Sequence, residues 1–158
     1  MGKIRLYADN ACDLDTEFLQ QRQTKMFYMP VTIKDKTYRD RLTISPDEFY
    51  RLIAEPGVIP LTAQITPVEF QEEFEQVMKE SDDDIIYIAF SSGLSGTYQS
   101  ACIVRDMVNP ERITVIDSES ASVGYGLIVI KAANDIAAGK SKEEVIAGIN
   151  DYIKRIQH

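Results

Sequence analysis

The chain has 158 residues, 44% hydrophobic and 27% charged, the make-up of one globular domain with a sizeable core. A formal net charge of −8 argues against a nucleic-acid surface or an anionic membrane face, both of which need clustered Lys and Arg. No apolar run nears the roughly 20 residues of a membrane span, and MGKIRLYAD turns polar too early for a secretion signal, so the expectation is a cytoplasmic protein with reduced thiols.

In chain order, KIRLYAD (residues 3–9) alternates Ile4, Leu6 and Ala8 and reads as a first strand. NACDLDTEFLQQRQ follows as a helix capped by Asp13 or Asp15, with Phe18 and Leu19 on its apolar face. KMFYMPVTI (residues 25–33) reads as one second strand, and Asp35-Lys36 turns it into a short antiparallel ribbon. Ser45-Pro46-Asp47-Glu48 and Thr66-Pro67-Val68-Glu69 are two helix starts of one design. In each, a hydroxyl caps, Pro fills the first turn where no N–H is needed, and Glu reaches back. These helices run to Ala54 and to about Lys79, and EPGVIPLTAQ between them reads as a loop.

DIIYIAF (residues 84–90) is a continuous apolar run of the kind that fills a central parallel strand. TYQSACIVRDMV is the helix after it, with Tyr98, Ala101, Cys102 and Val108 at helical spacing. RITVID (residues 112–117) is a further buried strand, and SESASVGYG reads as a polar loop. LIVIKAANDIAAG gives a helix that ends at Gly139, and Ser141 caps a last one. This order predicts a single α/β domain over residues 1–158, with a mostly parallel central sheet and helices on both faces. Ligands of such sheets gather at the carboxyl ends of strands. Loops 9–13, 91–97 and 117–122 lie there, and the segment carrying Thr62 and Gln64 is placed to join them.

The chemistry narrows at FSSGLSGTYQS (residues 90–100). Gly93-Leu94-Ser95-Gly96 sets its second glycine one place too early for a nucleophile elbow. The single histidine is the terminal His158, so no interior base is available to a serine nucleophile. Gly96 is followed by Thr97-Tyr98 rather than the Lys and hydroxyl of a Walker loop. The turn from strand to helix still offers N–H groups, a positive dipole end and neutral hydroxyls, which suit a carboxylate better than a triphosphate. Asp9, Asp13 and Asp117 read as loop and helix caps more readily than as Mg²⁺ ligands, and no metal is expected. Cys12 and Cys102 read as small packing residues, and Ser81-Asp82-Asp83-Asp84 as a solvated turn.

SSGLSGTYQSA, VTIKDKTYRDRLTISPDEFY, VIDSESASVGYGL, TAQITPVEF and ADNACDL together, in this order, resemble the DegV family over about residues 4–156. The resemblance implies the first domain of a two-domain fatty-acid-binding protein, which in some members is the acyl-carrying subunit of bacterial fatty-acid kinase. It implies that Thr62 and the paired serines Ser91 and Ser92 grip the fatty-acid carboxylate, with Ser92 favoured over Ser91 and Gly93 lending its N–H. Gln64, Asp9 and Asp117 would hold loops. No cofactor or catalytic residue is implied; the ligand would be a long-chain fatty acid such as palmitate, and the partner a kinase subunit. Two departures stand out. The family's Asp-Ser-Thr reads Asp9-Asn10-Ala11 here and its Thr-Ser-Gln reads Thr62-Ala63-Gln64, each with fewer hydroxyls. The second domain is also missing from the 158 residues, so the expectation includes weakened lipid binding and an exposed apolar face suited to dimerisation. The competing expectation is a small-molecule phosphotransferase related to dihydroxyacetone-kinase-like domains.

Overall fold

The computed structural model describes residues 2–156; His158 lies outside them. Four parallel strands form the main sheet, in the order β2 (Thr24–Phe27), β1 (Ile4–Asp9), β6 (Asp84–Ala89), β7 (Ile113–Asp117). A second, antiparallel sheet orders β4 (Lys36–Arg39), β3 (Pro30–Ile33) and β5 (Leu61–Thr62). The helices are α1 (Thr16–Gln21), α2 (Pro46–Ile53), α3 (Pro67–Glu80), α4 (Thr97–Val108), α5 (Ser122–Ala137) and α6 (Lys142–Ile153).

Side-chain alternation along the parallel strands divides the core in two. Leu6, Ala8, Ile86, Ile88 and Ile116 point to one face, against Leu19 of α1, Tyr125, Ile128, Val129 and Ala132 of α5, and Val145 and Ile149 of α6. Tyr7, Ile85, Tyr87, Ala89, Ile113 and Val115 point to the other, against Phe70, Phe74 and Val77 of α3 and Ala101 and Val104 of α4. The central strands are apolar at nearly every position because both of their faces are covered. The small sheet has its own core of Val31, Ile33, Tyr38 and Ile44, closed by Phe49, Leu52 and Ile53 of α2 and by Val58.

Several sequence expectations change. Residues 25–33 are two strands in two sheets. The chain leaves the parallel sheet at Tyr28-Met29, where the Met29 N–H donates to Asn10 Oδ1 (2.8 Å) and Arg39 donates to the Tyr28 carbonyl (2.9 Å). The segment EPGVIPLTAQ is not all loop, since Val31 and Thr32 of β3 pair with Thr62 and Leu61. SESASVGYG is loop only to Ala121; its glycines lie inside α5, where Gly126 lets the helix approach the Cys12 carbonyl. The buried stripe of α4 is Thr97, Ser100, Ala101 and Val104, at i, i+3, i+4 and i+7, while Tyr98, Cys102 and Val108 are half-buried. The two hydroxyls on that stripe carry hydrogen bonds described below.

The predicted caps of α3 and α6 form as read, and that of α2 forms in part, its hydroxyl capping without Glu48 reaching back. Ser45 Oγ accepts the Glu48 N–H, and Thr66–Glu69 and Ser141–Glu144 are reciprocal capping boxes. Asp15, not Asp13, caps α1. Asp83 and Asp84 are not a free solvated run: Asp83 pairs with Arg5 (2.8 Å) and Asp84 with Lys142 (3.1 Å). Among the described residues no helix is long and apolar enough to cross a membrane.

Candidate functional site

The strand order reverses direction at β1. β2 is laid on one side of it, β6 and β7 on the other, and the crevice between the carboxyl ends of β1 and β6 is the switch point. A single buried carboxylate closes the floor of that crevice. Asp9 Oδ2 accepts the Tyr87 hydroxyl (2.8 Å) and the Phe90 N–H (3.0 Å), and Oδ1 accepts the Ala11 N–H (3.1 Å). From α5, the Tyr125 hydroxyl accepts the Asp9 N–H (2.9 Å) and donates to the Ile88 carbonyl (2.5 Å). The carboxylate and two phenols therefore fasten the end of β1 to the start of the serine loop. Burial pushes the Asp9 carboxyl above its usual range against those three donors, and it pushes both phenols well above theirs.

The serine loop is held from both sides. The Ser91 N–H donates to the Ser120 carbonyl (3.2 Å), the Ser92 N–H to Asp117 Oδ1 (3.1 Å), and the Ser118 N–H to the Ala89 carbonyl (3.1 Å). Asp117 Oδ1 also accepts the Glu119 N–H (3.0 Å), so one oxygen ties two loops together. Ser122 Oγ donates to Asp13 Oδ2 (2.6 Å), joining the 117–122 loop to the turn after β1. The three strand-end loops thus converge.

Within the loop the hydroxyls divide. Ser91 Oγ accepts the Gly93 N–H (3.3 Å), so Ser91 and Gly93 are turned toward each other. Ser95 Oγ bonds to Thr97 Oγ1 (2.9 Å) and accepts the Thr97 N–H (3.2 Å). Ser100 Oγ accepts from Gln64 Nε2 (3.1 Å). Ser92 Oγ makes no such bond among the described residues, and neither does Thr62 Oγ1 on β5. Gln64 and Ile65 bring the end of β5 onto α4, the Ile65 N–H donating to Thr97 Oγ1 (3.2 Å). Thr62 stands on the small sheet and Ser92 on the loop after β6 of the parallel sheet, and no strand pairing joins the two sheets.

The positions that differ from the family pattern have local roles. Asn10 accepts from Met29 and donates to Asp40 Oδ2 (3.4 Å), holding the small sheet against the turn after β1. The Ala63 N–H donates to the Pro30 carbonyl (3.2 Å) and continues the pairing of β5. Cys12 is fully buried, which pushes its thiol up to about 11, whereas Cys102 is half-buried on α4. Among the described residues no three His, Cys, Asp or Glu side chains are placed to hold a metal ion.

Tyr125, Thr97 and Ser100 are framework residues of the site that the sequence does not single out. Tyr125 lay in a segment read as loop, and the α4 hydroxyls were hidden by a stripe read one position too late.

Fold and loops together define an α/β domain with polar loops over its switch point. The family model described as "Uncharacterised protein, DegV family" matches residues 3–158, and the chain belongs to that family. It is 41% identical over 157 residues to a DegV domain-containing protein of Caldanaerobacter subterraneus, covering 99% of this chain and 55% of that one. The solved structure of DegV, a fatty acid binding protein from Bacillus subtilis, superposes with a TM-score of 0.87 at 29% identity, over 98% of this chain and 55% of that chain. A stearic acid-binding protein from Eubacterium ventriosum gives a TM-score of 0.83 at 25% identity, over 95% of this chain and 52% of that chain. The chain therefore spans about half the length of the relatives it matches.

Proposed function

We propose that this chain binds a long-chain fatty acid by its carboxylate at the strand-end loops, with Thr62 and Ser92 as the gripping hydroxyls. The observation that carries the reading is the pair of unengaged hydroxyls beside loops whose other polar groups are bonded to one another. Solved relatives of the same fold that bind fatty acids support it. The Gly93 N–H joins the grip when Ser91 rotates away from it. Gln64, Asp9 and Asp117 act through the loops they hold.

Magnitudes assign the parts. A hydrogen bond to a charged acceptor contributes about 1.5–3 kcal/mol net, so two hydroxyls orient the head group. A tail of about 15 methylenes, at roughly 0.8 kcal/mol each, dominates the gross affinity. Leu61, Leu94 and Val123 flank the site loops and are 65, 67 and 69% exposed, an apolar rim suited to that tail. The same rim suits a second copy of the chain. The protein acts as a cytoplasmic carrier without catalytic groups of its own, presenting the carboxylate to a kinase subunit that supplies the nucleotide.

Extraction of purified protein followed by mass spectrometry of the organic phase tests the reading, together with palmitate titration of the delipidated chain. The expected result is co-purified fatty acid and palmitate binding that Thr62→Ala or Ser92→Ala each weakens by about tenfold to a hundredfold. A protein that emerges lipid-free and takes up no palmitate sinks the proposal.

A further inference from the structure

We infer that Gly96 and Gln64 form a latch that sets the separation of Thr62 from Ser92, and so fixes the head-group specificity of the site. The inference rests on the fatty-acid reading above. Thr62 belongs to the small sheet and Ser92 to a loop of the parallel sheet, and β5 pairs with β3 alone. Asn10 and Arg39 tie the β3–β4 side of the small sheet to the turn after β1 and to α3, and at the end of β5 the distance between the two hydroxyls depends on ties between residues 64–65 and the first turn of α4.

Two ties are present, and both end on buried hydroxyls. The Ile65 N–H donates to Thr97 Oγ1 and Gln64 Nε2 to Ser100 Oγ, with Thr97 and Ser100 on the inward stripe of α4. The Gln64 amide reaches Ser100 by crossing directly over Gly96. A Cβ on residue 96 would lie 2.0 Å from Gln64 Oε1 and 3.0 Å from Gln64 Cδ. The backbone of Gly96 has φ −75° and ψ 0°, which any residue adopts, so glycine is not needed there for conformation. What the missing side chain provides is room for the Gln64 amide.

Gln64 lies two residues from Thr62 along an extended segment, about 7 Å of chain. A methyl at 96 displaces the Gln64 amide and costs the bond to Ser100. That leaves Ile65 as the remaining tie and frees the end of β5 to move relative to the serine loop. Neither residue touches the carboxylate in this scheme. Both are positioning residues, and they act as one unit.

The test uses the full chain with Gly96→Ala, Gln64→Ala and the double variant, titrated with palmitate and with 1-hexadecanol, which has the same tail and no carboxylate. Wild type is expected to prefer palmitate. Each single variant is expected to lose that preference by about tenfold while hexadecanol binding changes by less than about twofold. The double variant should be no worse than either single one, because the two substitutions break the same contact. A Gly96→Ala protein that keeps the preference, or losses that multiply in the double variant, overturns the latch.

A wild type that binds neither ligand overturns the fatty-acid reading and leaves the latch to a ligand-free measurement. Hydrogen exchange at the Ala63 and Ile65 amides should quicken in Gln64→Ala, whose truncated side chain is exposed and whose fold is not at risk. Unchanged protection at both amides refutes the latch with or without ligand.

Discussion

At the scale of single residues, the buried Asp9–Tyr87–Tyr125 group decides where the serine loop begins. Tyr125 is the member to test, because its hydroxyl satisfies two backbone groups at once, the Asp9 N–H and the Ile88 carbonyl. Tyr125→Phe leaves both without that partner in a fully buried place, and an unmet buried polar group costs about 1–3 kcal/mol. The expected outcome in urea denaturation is a lower midpoint at unchanged slope. An unaltered midpoint would show that the two backbone groups find other partners. Asp9 itself was legible as a loop-holding residue from its place at the end of a strand. Its phenolic partners were not, since they come from residues 78 and 116 positions further along. Nothing local in IIYIAF or SVGYGL distinguishes a tyrosine that packs from one that donates.

Elements were legible wherever local chemistry sufficed. The caps at Ser45, Thr66 and Ser141 sit where hydroxyl and glutamate spacing place them, the first two with proline in the first turn, and the apolar run beginning at Asp84 is a central strand. The misreadings share one cause, which is that tertiary contact overrode a local signal. Tyr28 and Met29 look like strand interior, yet Asn10 and Arg39 hold the chain there as it passes from one sheet to the other. Gly124 and Gly126 look like loop, yet they are helical and let α5 sit close to the turn after β1. Gly126→Ala measures that closeness. Alanine gains about 1 kcal/mol in a helix interior, but its Cβ would stand 2.7 Å from the Cys12 carbonyl, a backbone group that cannot rotate aside. Overpacking costs about 1–3 kcal/mol, so the variant is expected to be less stable than wild type in thermal melts. A raised melting temperature would refute the tight approach.

On the scale of the whole molecule, the acid side of the stability profile should carry a contribution from Asp135. This carboxylate on α5 accepts from Lys131 and from Lys140 (2.8 Å) beside the start of α6. Burial raises its pKa, but the two lysine hydrogen bonds outweigh burial and hold the carboxyl below its usual range. A lowered folded value means stability that is present above the unfolded pKa and is lost as pH falls through the folded one. Asp135→Asn should therefore cost about 1–2 kcal/mol near neutrality, with the gap to wild type closing below about pH 4. A gap that persists unchanged at low pH would assign the effect to packing instead. The α/β architecture followed from element order, whereas the separateness of the two sheets did not, because Leu61-Thr62 is too short a strand to announce itself. That separateness bears on how such a binding protein changes over time. Thr62, one of the two proposed gripping residues, stands on a sheet with a core of its own, and Ser92, the other, on a loop of the parallel sheet that forms the bulk of the fold. Substitutions at Val31, Ile33 or Ile44 alter the first support while leaving the second as it was. The distance between the two hydroxyls is thereby open to small inherited adjustments, and a lineage can explore new head groups without first risking the fold that carries them.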